Sequence, residues 1–254
     1  MEQVVNFKST KGNKVVGILN NTNNYDWIVI FVHGFNSTKN HKHFLPIIDQ
    51  LVNQGVSTFS YDTFGQGDSD GKLEDLTITE AVDDTLQAIE YVRSLGYKNV
   101  GIVGTSFGGF VALIAAEKYK RLKFLALKSP VSDYNKQVKV VASEDDLETW
   151  KEKGFINYGD ADHFVKLNYS FFEDMINYDA YKVATELTIP TLIVHGDNDK
   201  SVTISQSKKL ASVLPNATLE IIHGADHGYK DPEHASKMRE LITNFVIEQI
   251  SHYK

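Results

Sequence analysis

The chain has 254 residues, 42% of them hydrophobic and 23% charged, which is the composition of a folded domain with its own core and excludes a disordered polypeptide. The formal net charge of -7 would repel a polyphosphate backbone, so we expect no nucleic-acid partner. The sequence contains no cysteine, which excludes disulfides, cysteine nucleophiles and thiolate metal sites.

The amino-terminal segment, MEQVVNFKST, has neither the basic region nor the apolar region of a signal peptide. No stretch elsewhere approaches the roughly 20 consecutive apolar residues that span a bilayer. We therefore expect a cytoplasmic protein with no membrane partner.

Two apolar runs, residues 4–8 and 14–19, flank a Gly-Asn turn and predict an antiparallel hairpin. After this hairpin, short β-branched runs alternate with longer helical stretches. Near-continuous apolar strands of this kind are covered on both faces of a sheet. The predicted strands are Trp27–Val32 and residues 56–61, 99–103, 122–127, 190–195 and 218–222.

Apolar residues at intervals of three and four predict amphipathic helices in two places. One begins at Ile78 and continues to Val92, and the other begins at Met238 near the carboxyl end. Strands that alternate with helices predict an α/β fold, with a mainly parallel twisted sheet and helices on both faces. A ligand site is then expected beyond the carboxyl ends of the strands.

One segment, residues 131–188, breaks this alternation, because it contains no clear strand and carries the acidic run EDDLE. We interpret it as a helical cap inserted into a single domain that spans residues 1–254. Its aromatic side chains are available to line a substrate pocket, but packing onto the domain is the favoured interpretation for most of them. They are Trp150, Phe155, Tyr158, Phe164, Tyr169, Phe171, Phe172, Tyr178 and Tyr181.

Ser106 lies in the stretch GTSFGG, directly after a predicted strand and before the helix-forming residues 110–119. If GTSFGG were only a flexible turn, there would be no reason for a strand to precede this stretch and a helix to follow it directly. A dinucleotide-binding loop is disfavoured, because the next strand ends in Lys128, where that fold has an acidic residue. Gly104 to Gly108 instead fits G-x-S-x-G, a strained strand-to-helix turn that exposes a serine nucleophile.

A serine hydroxyl becomes a nucleophile when a general base accepts its proton and a carboxylate orients that base. After the predicted strand PTLIVH, the chain offers Asp197 and Asp199 as the carboxylate. After the predicted strand TLEII, it offers His223 and His227 as the base, and His227 is favoured because His223 still continues its strand. Both loops are predicted at the same edge of the sheet as Ser106.

The backbone N–H groups of Phe35 and Phe107 are candidates for an oxyanion hole, which stabilises the negative charge that develops during acyl transfer. Phe35 follows the predicted strand Trp27–Val32, and Phe107 begins the helix after the serine. His33, in the same loop as Phe35, is expected to hold the loop and not to exchange protons.

Five stretches in chain order resemble the α/β-hydrolase superfamily: IVIFVHGFNSTKN, YDTFGQGDSDGKLEDLT, GIVGTSFGG, IPTLIVHGDNDKSV and GADHGY. More narrowly, they resemble the bacterial carboxylesterases that include the cinnamoyl or feruloyl esterases. The resemblance covers most of the chain outside the cap. It implies that the acid lies three residues after Gly196, which selects Asp199, and that His227 is the base. It also implies that Phe35 and Phe107 are the oxyanion donors.

Together these features predict a serine carboxylesterase that cleaves small to medium esters, hydroxycinnamoyl esters among them, through an acyl-enzyme on Ser106. The expected partner is a small-molecule ester, no cofactor or metal is implied, and a homodimer is left open. Two alternatives keep the same fold. One is a thioesterase, amidase or small-peptide hydrolase, and the other is a hydrolase-like protein that binds a ligand without turning it over.

Four further polar features are interpreted as structural. The runs HKH at residues 41–43 and DADH at residues 160–163 are expected at the surface and not as metal ligands. The stretch FGQGDSDG, with Asp68 and Asp70, is expected to form a structural turn after a strand. Asp83 and Asp84 are expected to favour a helix dipole or to face water.

Overall fold

The computed structural model describes residues 1–141, 144–160 and 163–252. The strands β1 to β10 are Glu2–Lys8, Lys14–Asn20, Trp27–Val32, Ser57–Tyr61, Asn99–Thr105, Leu125–Lys128, Phe155–Asp160, His163–Asn168, Thr191–Gly196 and Ala217–Ile222. The helices α1 to α9 are Phe44–Asn53, Ile78–Ser94, Phe107–Lys118, Tyr134–Val141, Glu144–Lys153, Tyr169–Met175, Ala180–Ala184, Ile204–Val213 and Pro232–Ser251. A short 3-10 helix covers Leu73–Asp75.

Eight strands form one sheet in the order β1-β2-β4-β3-β5-β6-β9-β10. Strand β2 is antiparallel to both of its neighbours, and the strands from β4 to β10 in that order pair in parallel. The predicted hairpin and the predicted mainly parallel α/β sheet are therefore confirmed. The chain leaves β3 toward β4 on one side and returns to β5 on the other, so a crevice opens at the carboxyl ends of β3 and β5.

Each face of the sheet is covered by its own apolar core. On one face, Ile30 and Ile102 of the sheet lie in the same cluster as Val82 of α2. On the other face, Phe31 clusters with Ile47 of α1 and, from α9, with Met238. Alternate residues of a strand point to opposite faces, so the adjacent Ile30 and Phe31 contribute to different cores.

Helix α3 follows β5 directly and is buried on every side over its first ten residues, 107–116. It packs between the sheet and α2, and α2 has the amphipathic pattern predicted for it. The side chain of Thr77 caps α2 by accepting a hydrogen bond from the backbone N–H of Glu80 at 3.1 Å. The first turn of α3 is therefore held in a rigid setting at the crevice.

The segment between β6 and β9 contains helices α4 to α7 and also the antiparallel hairpin β7-β8. The expectation of no strand in residues 131–188 was wrong. The runs FINYGD and HFVKLN carry aromatic and β-branched residues, which favour strands, but each is only six residues long. Such short runs give a weak periodic signal, and pairing with each other is what stabilises them.

Hydrogen bonds join the inserted segment to the rest of the domain on two sides. Both oxygens of Asp174 accept hydrogen bonds from Thr79 at the start of α2, at 2.8 Å from N and 2.5 Å from Oγ1. On the other side, Gln206 of α8 accepts from the backbone N–H of Ser132 at 2.9 Å and donates to Gln137 of α4 at 3.1 Å. The segment is thus fixed over the carboxyl edge of the sheet.

The stretch FGQGDSDG folds around a buried ion pair between Lys39 and Asp62, whose charged atoms are 2.7 Å apart. Asp68 also pairs with Lys39, and Asp70 accepts a hydrogen bond from the backbone N–H of Lys14 at 2.8 Å. These carboxylates are therefore occupied by groups of the protein itself, as expected for a structural turn.

Two polar residues lie deeper than expected. Asp84 is 1% exposed and accepts a hydrogen bond from the backbone N–H of Phe64 at 2.6 Å, because its position on α2 faces the core. His43 is 5% exposed, and its Nε2 donates to the carbonyl of Gly228 at 2.8 Å, because it directly precedes the buried helix α1. The expectation of a surface position was therefore wrong for His43, although Lys42 is exposed, and of the two alternatives for Asp84 a position facing water was wrong. Part of the DADH run lies outside the described residues.

Among the described residues, no helix is both long enough and apolar enough to cross a bilayer.

Candidate active site

Ser106 occupies the sharp turn between β5 and α3. Its φ of 53° and ψ of -118° are a conformation that residues with a side chain rarely adopt, so the turn is strained. The glycines around it are required by close contacts. A Cβ at Gly108 would lie 2.2 Å from the carbonyl oxygen of Val32, and one at Gly104 would lie 2.7 Å from the carbonyl oxygen of Gly108. The predicted strained turn is therefore present.

Three side chains from three different loops form one hydrogen-bonded chain. Nε2 of His227 lies 3.1 Å from Oγ of Ser106, and Nδ1 of His227 lies 2.6 Å from Oδ2 of Asp199. Asp199 follows β9, and His227 lies in the loop after β10. An ionised carboxylate can only accept, so Nδ1 of His227 carries a proton and Nε2 is free to accept the serine proton.

Asp199 is held from several directions. Its Oδ1 accepts the backbone N–H groups of Ser201 and Val202 at 2.9 Å and 2.8 Å. Its Oδ2 also lies 3.1 Å from Nε2 of His195, a fully buried residue of β9. Because Nε2 of His195 faces only acceptors, it carries the proton, and its Nδ1 accepts from Ser207 at 2.6 Å. Sequence reasoning missed His195. Its position inside the apolar strand PTLIVH could have indicated a buried polar residue with a partner.

Burial and charge set the protonation of this chain of residues. Burial lowers the pKa of His227 below its usual value, and the hydrogen bond to Asp199 offsets only part of that effect. Burial of Asp199 opposes its ionisation, but hydrogen bonds from His195 and His227 prevail and hold its pKa well below the usual range. At neutral pH the pair therefore consists of a carboxylate and a neutral imidazole.

Phe35 and Phe107 flank the serine on the side of the crevice. Gly34, just before Phe35, lies beside Ser106, since a Cβ there would be in ordinary contact with the serine Cβ at 3.5 Å. No backbone hydrogen bond within the described residues uses the N–H of Phe35 or that of Phe107. Two free amide donors next to a serine are the arrangement that an oxyanion needs. Nearby, His33 is buried, and its Nδ1 donates to the carbonyl of Gly34 at 2.8 Å.

An apolar cavity of about 170 Å³ opens directly beside Ser106 and His227. We call it the acyl cavity. Side chains of the inserted segment form most of its wall, and aromatic rings dominate them. They include Tyr134, Trp150, Tyr158, Leu167 and Phe171.

The aromatic residues of the inserted segment divide between lining the acyl cavity and packing. Trp150, Tyr158 and Phe171 line it. Tyr169 and Phe172 stack on each other and pack against Trp150, while Phe155 and Phe164 are exposed. Tyr134 was missed by the sequence analysis, which treated only the residues after the acidic run.

The two alternative residues lie outside this arrangement. Within the described residues, Asp197 and His223 make no hydrogen bond to Ser106, His227 or Asp199. Among the described residues, no three side chains of His, Asp or Glu are grouped so that they could hold a metal ion.

A comparison with family models matches residues 48–252 to the prolyl oligopeptidase family. The chain belongs to the prolyl oligopeptidase family. This match covers most of the chain and includes Ser106, Asp199 and His227.

Solved structures place this family member among α/β-hydrolases. Est1E from Butyrivibrio proteoclasticus, solved with ferulic acid bound, superposes with a TM-score of 0.81 at 25% identity over 97% of this chain and 99% of that one. The mouse alpha/beta hydrolase domain-containing protein 10 superposes with a TM-score of 0.83 at 19% identity, over 97% of this chain and 99% of that one. These neighbours confirm the α/β-hydrolase fold and the resemblance predicted from the sequence.

Curated relatives have several activities. The chain is similar to a proline iminopeptidase of Saccharolobus solfataricus, with 22% identity over 254 residues, covering 81% of this chain and 80% of that protein. It is also similar to the mitochondrial palmitoyl-protein thioesterase ABHD10 of Rattus norvegicus, with 23% identity over 209 residues, covering 80% and 69%. The family and its neighbours identify the chain as a hydrolase of the serine hydrolase superfamily.

Proposed function

We propose that this protein is a serine carboxylesterase for esters with small to medium acyl groups. The observation that carries the proposal is the hydrogen-bonded chain from Ser106 through His227 to Asp199 at the mouth of an apolar cavity. Each of the three has the chemistry and the position that one step of ester cleavage requires.

The proposed reaction has two halves. Oγ of Ser106 attacks the ester carbonyl while Nε2 of His227 takes the serine proton, and the resulting tetrahedral intermediate expels the alcohol, which receives that proton. Water then enters, gives a proton to His227 and attacks the acyl-enzyme, which releases the acid and restores the serine. Asp199 keeps the imidazole in the required tautomer and stabilises its charged form.

The free backbone N–H groups of Phe35 and Phe107 are proposed to receive the carbonyl oxygen as it becomes negative. Donors fixed in a folded backbone need no rearrangement when that charge develops, so they stabilise the transition state more than the ground state. The Phe35 N–H lies in the loop after β3, and the Phe107 N–H is the first of α3, where the helix dipole adds to the effect.

The acyl cavity indicates the acids that would be released. Its volume of about 170 Å³ and its aromatic walls suit a short alkanoyl group or one planar aromatic acyl group. Est1E, which binds ferulic acid, has the same fold, so hydroxycinnamoyl esters are among the candidate substrates. A free amino group is disfavoured at this cavity, because no carboxylate belongs to its described lining.

A thioesterase is the second candidate, since a similar protein has that activity. Cleavage of a thioester needs no catalytic residue beyond the same three. Amides and short peptides are harder substrates for the same residues. A panel with one acyl group presented as an ester, a thioester and an anilide would rank these activities through kcat/KM.

The experiment that tests the proposal is intact-protein mass spectrometry after treatment with a fluorophosphonate. Wild type should gain one adduct, and Ser106→Ala should gain none. Ser201→Ala is the matched control, because Ser201 lines the same cavity and its loss should leave labelling intact. A folded wild-type protein without an adduct would favour the hydrolase-like binding protein instead.

A further inference from the structure

A second cavity, of about 250 Å³, also reaches Ser106 and His227. We call it the basic cavity. Apart from those shared residues, its wall comes mainly from the loop after β3 and from the end of β6. Polar and cationic side chains in it include Ser37, His41, Lys42 and Lys128, and its described lining contains no Asp or Glu.

Lys128 is the last residue of β6 and is only 4% exposed. Its Nζ donates to the carbonyl of His227 at 2.5 Å and lies 4.9 Å from the centre of the Tyr229 ring. No carboxylate of the described residues lies within 4.0 Å of this ammonium, which forms no ion pair in that part of the chain. An ammonium has three N–H donors, and the hydrogen bond to His227 uses one of them.

A buried ammonium without a counter-ion in direct contact is costly, because burial removes the water that would stabilise its charge. Burial accordingly lowers the pKa of Lys128 to about 8, with Asp199 opposing that effect, so the side chain is still mainly protonated at pH 7. A neutral residue would fill this position at lower cost. The retained charge therefore points to an anionic ligand.

One other group around the basic cavity, Lys42, carries the same sign, and two neutral histidines lie beside it. Lys42 is exposed and makes no ion pair within the described chain. Burial lowers the pKa of His41 to about 3 and that of His43 to about 4, so both rings are neutral at pH 7. Their Nδ1 atoms are buried and have no partner in the described structure. The cavity thus combines positive charge with unused hydrogen-bonding atoms, in a chain whose net charge is -7.

We propose that the basic cavity is the leaving-group subsite and that it selects alcohols carrying a carboxylate or phosphate group. The inference rests on the proposed esterase function and names its substrate class. The acyl cavity takes the acid part of the ester, and Ser106 lies where the two cavities meet. The ester C–O bond breaks, the alcohol oxygen takes the proton from His227, and the anionic group leaves unchanged beside Lys128.

The test compares four butyrate esters of benzyl alcohols that differ only at the para position. The substituents are carboxylate, phosphate, neutral carboxamide and trimethylammonium, and each lies too far from the ester to change its reactivity much. Wild type should hydrolyse at least one anionic ester with a kcat/KM about tenfold or more above that of the carboxamide ester, and the trimethylammonium ester most slowly.

Lys128→Met should bring the ratio of anionic to neutral kcat/KM close to one, whereas Lys128→Arg should keep much of it. The ratio is the readout, since loss of the hydrogen bond to His227 would slow all four esters alike. Lys98→Met is the matched control. Lys98 pairs with Asp26 at the amino ends of β3 and β5, whereas the basic cavity lies at their carboxyl ends, so this variant should leave the ratio unchanged. If Lys128→Met does not fold, inhibition of wild type by the free para-carboxylate and para-carboxamide alcohols gives the same comparison.

The outcomes separate the two proposals. Equal rates with carboxylate, phosphate and carboxamide esters, or fastest cleavage of the trimethylammonium ester, would overturn the anionic subsite while the esterase function stands. Absence of hydrolysis of all four esters together with absence of the fluorophosphonate adduct would overturn the esterase function itself. Preference for carboxylate over phosphate, or the reverse, supports the subsite and identifies its anion.

Discussion

Oδ2 of Asp197 lies 2.7 Å from Nδ1 of His223, so the two residues form a carboxylate–imidazole pair of their own close to the proposed triad. This pair is exposed, with 87% of the His223 side chain accessible, whereas the side chain of Asp199 is fully buried. An exposed pair of this kind is screened by water, and neither of its residues is hydrogen-bonded to a serine in the described part of the chain.

Asp199→Asn should therefore lower kcat by about 10³- to 10⁴-fold, because the amide would favour the wrong tautomer of His227. Asp197→Asn should retain nearly wild-type activity. Steady-state kinetics with p-nitrophenyl butyrate measure both variants. The opposite ranking would show that Asp197 is the acid of the triad.

The pH dependence of kcat/KM should reflect the lowered pKa of His227. The imidazole accepts the serine proton only when it is neutral, so activity falls as pH drops through the pKa of this group. Because burial lowers that pKa, the acidic limb should lie below pH 6.5, the ordinary value for histidine. A limb above pH 7 would contradict this assignment. Ester hydrolysis measured from pH 4 to 9 at constant ionic strength shows where the acidic limb lies.

Tyr158→Ala should shift the preferred acyl group to a longer one. The ring of Tyr158 lines the acyl cavity and lies 5.1 Å from that of Phe35, so its removal enlarges the space beside the serine. In a p-nitrophenyl ester series, we expect the optimum chain length to increase by about two carbons or more. Phe164→Ala, on the neighbouring strand β8, is the control and should leave the optimum chain length unchanged, because Phe164 is 56% exposed.

Gly108→Ala should destabilise the protein by about 3 kcal/mol or more, because the new Cβ would meet the carbonyl oxygen of Val32 and the helix would have to shift. Gly34→Ala provides the comparison, since its Cβ would find only ordinary contacts. Urea unfolding monitored by circular dichroism reports both. Similar stabilities of the two variants would mean that α3 moves more easily than its burial indicates.

The buried Asp84 should make stability depend on pH. Burial raises its pKa to about 7 from an ordinary value near 3.8, with the hydrogen bond from Phe64 opposing that effect. At Asp84 the folded state then binds more protons than the unfolded state between these two values, so the contribution of Asp84 to the free energy of unfolding should fall as pH rises from about 4 to 7.

Asp84→Asn should remove that contribution and be more stable than wild type at pH 8, by up to about 4 kcal/mol. Asp83→Asn, next to it on α2, should keep the wild-type slope, because Asp83 lies toward the surface. Denaturant melts at pH 4, 6 and 8 measure the three slopes. A stability difference between Asp84→Asn and wild type that stays constant from pH 4 to 8 would show that Asp84 is ionised in the fold.

The sequence predicted the strands of the main sheet because each is a short apolar run with turn residues at its ends. It also predicted Ser106, since a strained turn flanked by glycines has a local signature in the chain. The hairpin β7-β8 could not be predicted in this way, because its two strands stabilise each other and neither is strongly apolar alone.

Burial of single polar residues was equally hard to predict. Asp84, His195 and Lys128 are charged or polar side chains inside or at the end of apolar elements, and their positions depend on which neighbours the fold brings to them. Periodicity places a residue on a face of a helix or strand, but it does not show whether a loop from elsewhere covers that face.

The two cavities beside Ser106 draw their distinctive walls from different parts of the chain. Residues of the inserted segment surround one, and the loop after β3 with the end of β6 surrounds the other. Substitutions of residues that line only one of the cavities can therefore alter recognition of one half of the substrate more than that of the other. Acid preference and alcohol preference are separable traits in this architecture, open to independent selection in nature or in the laboratory.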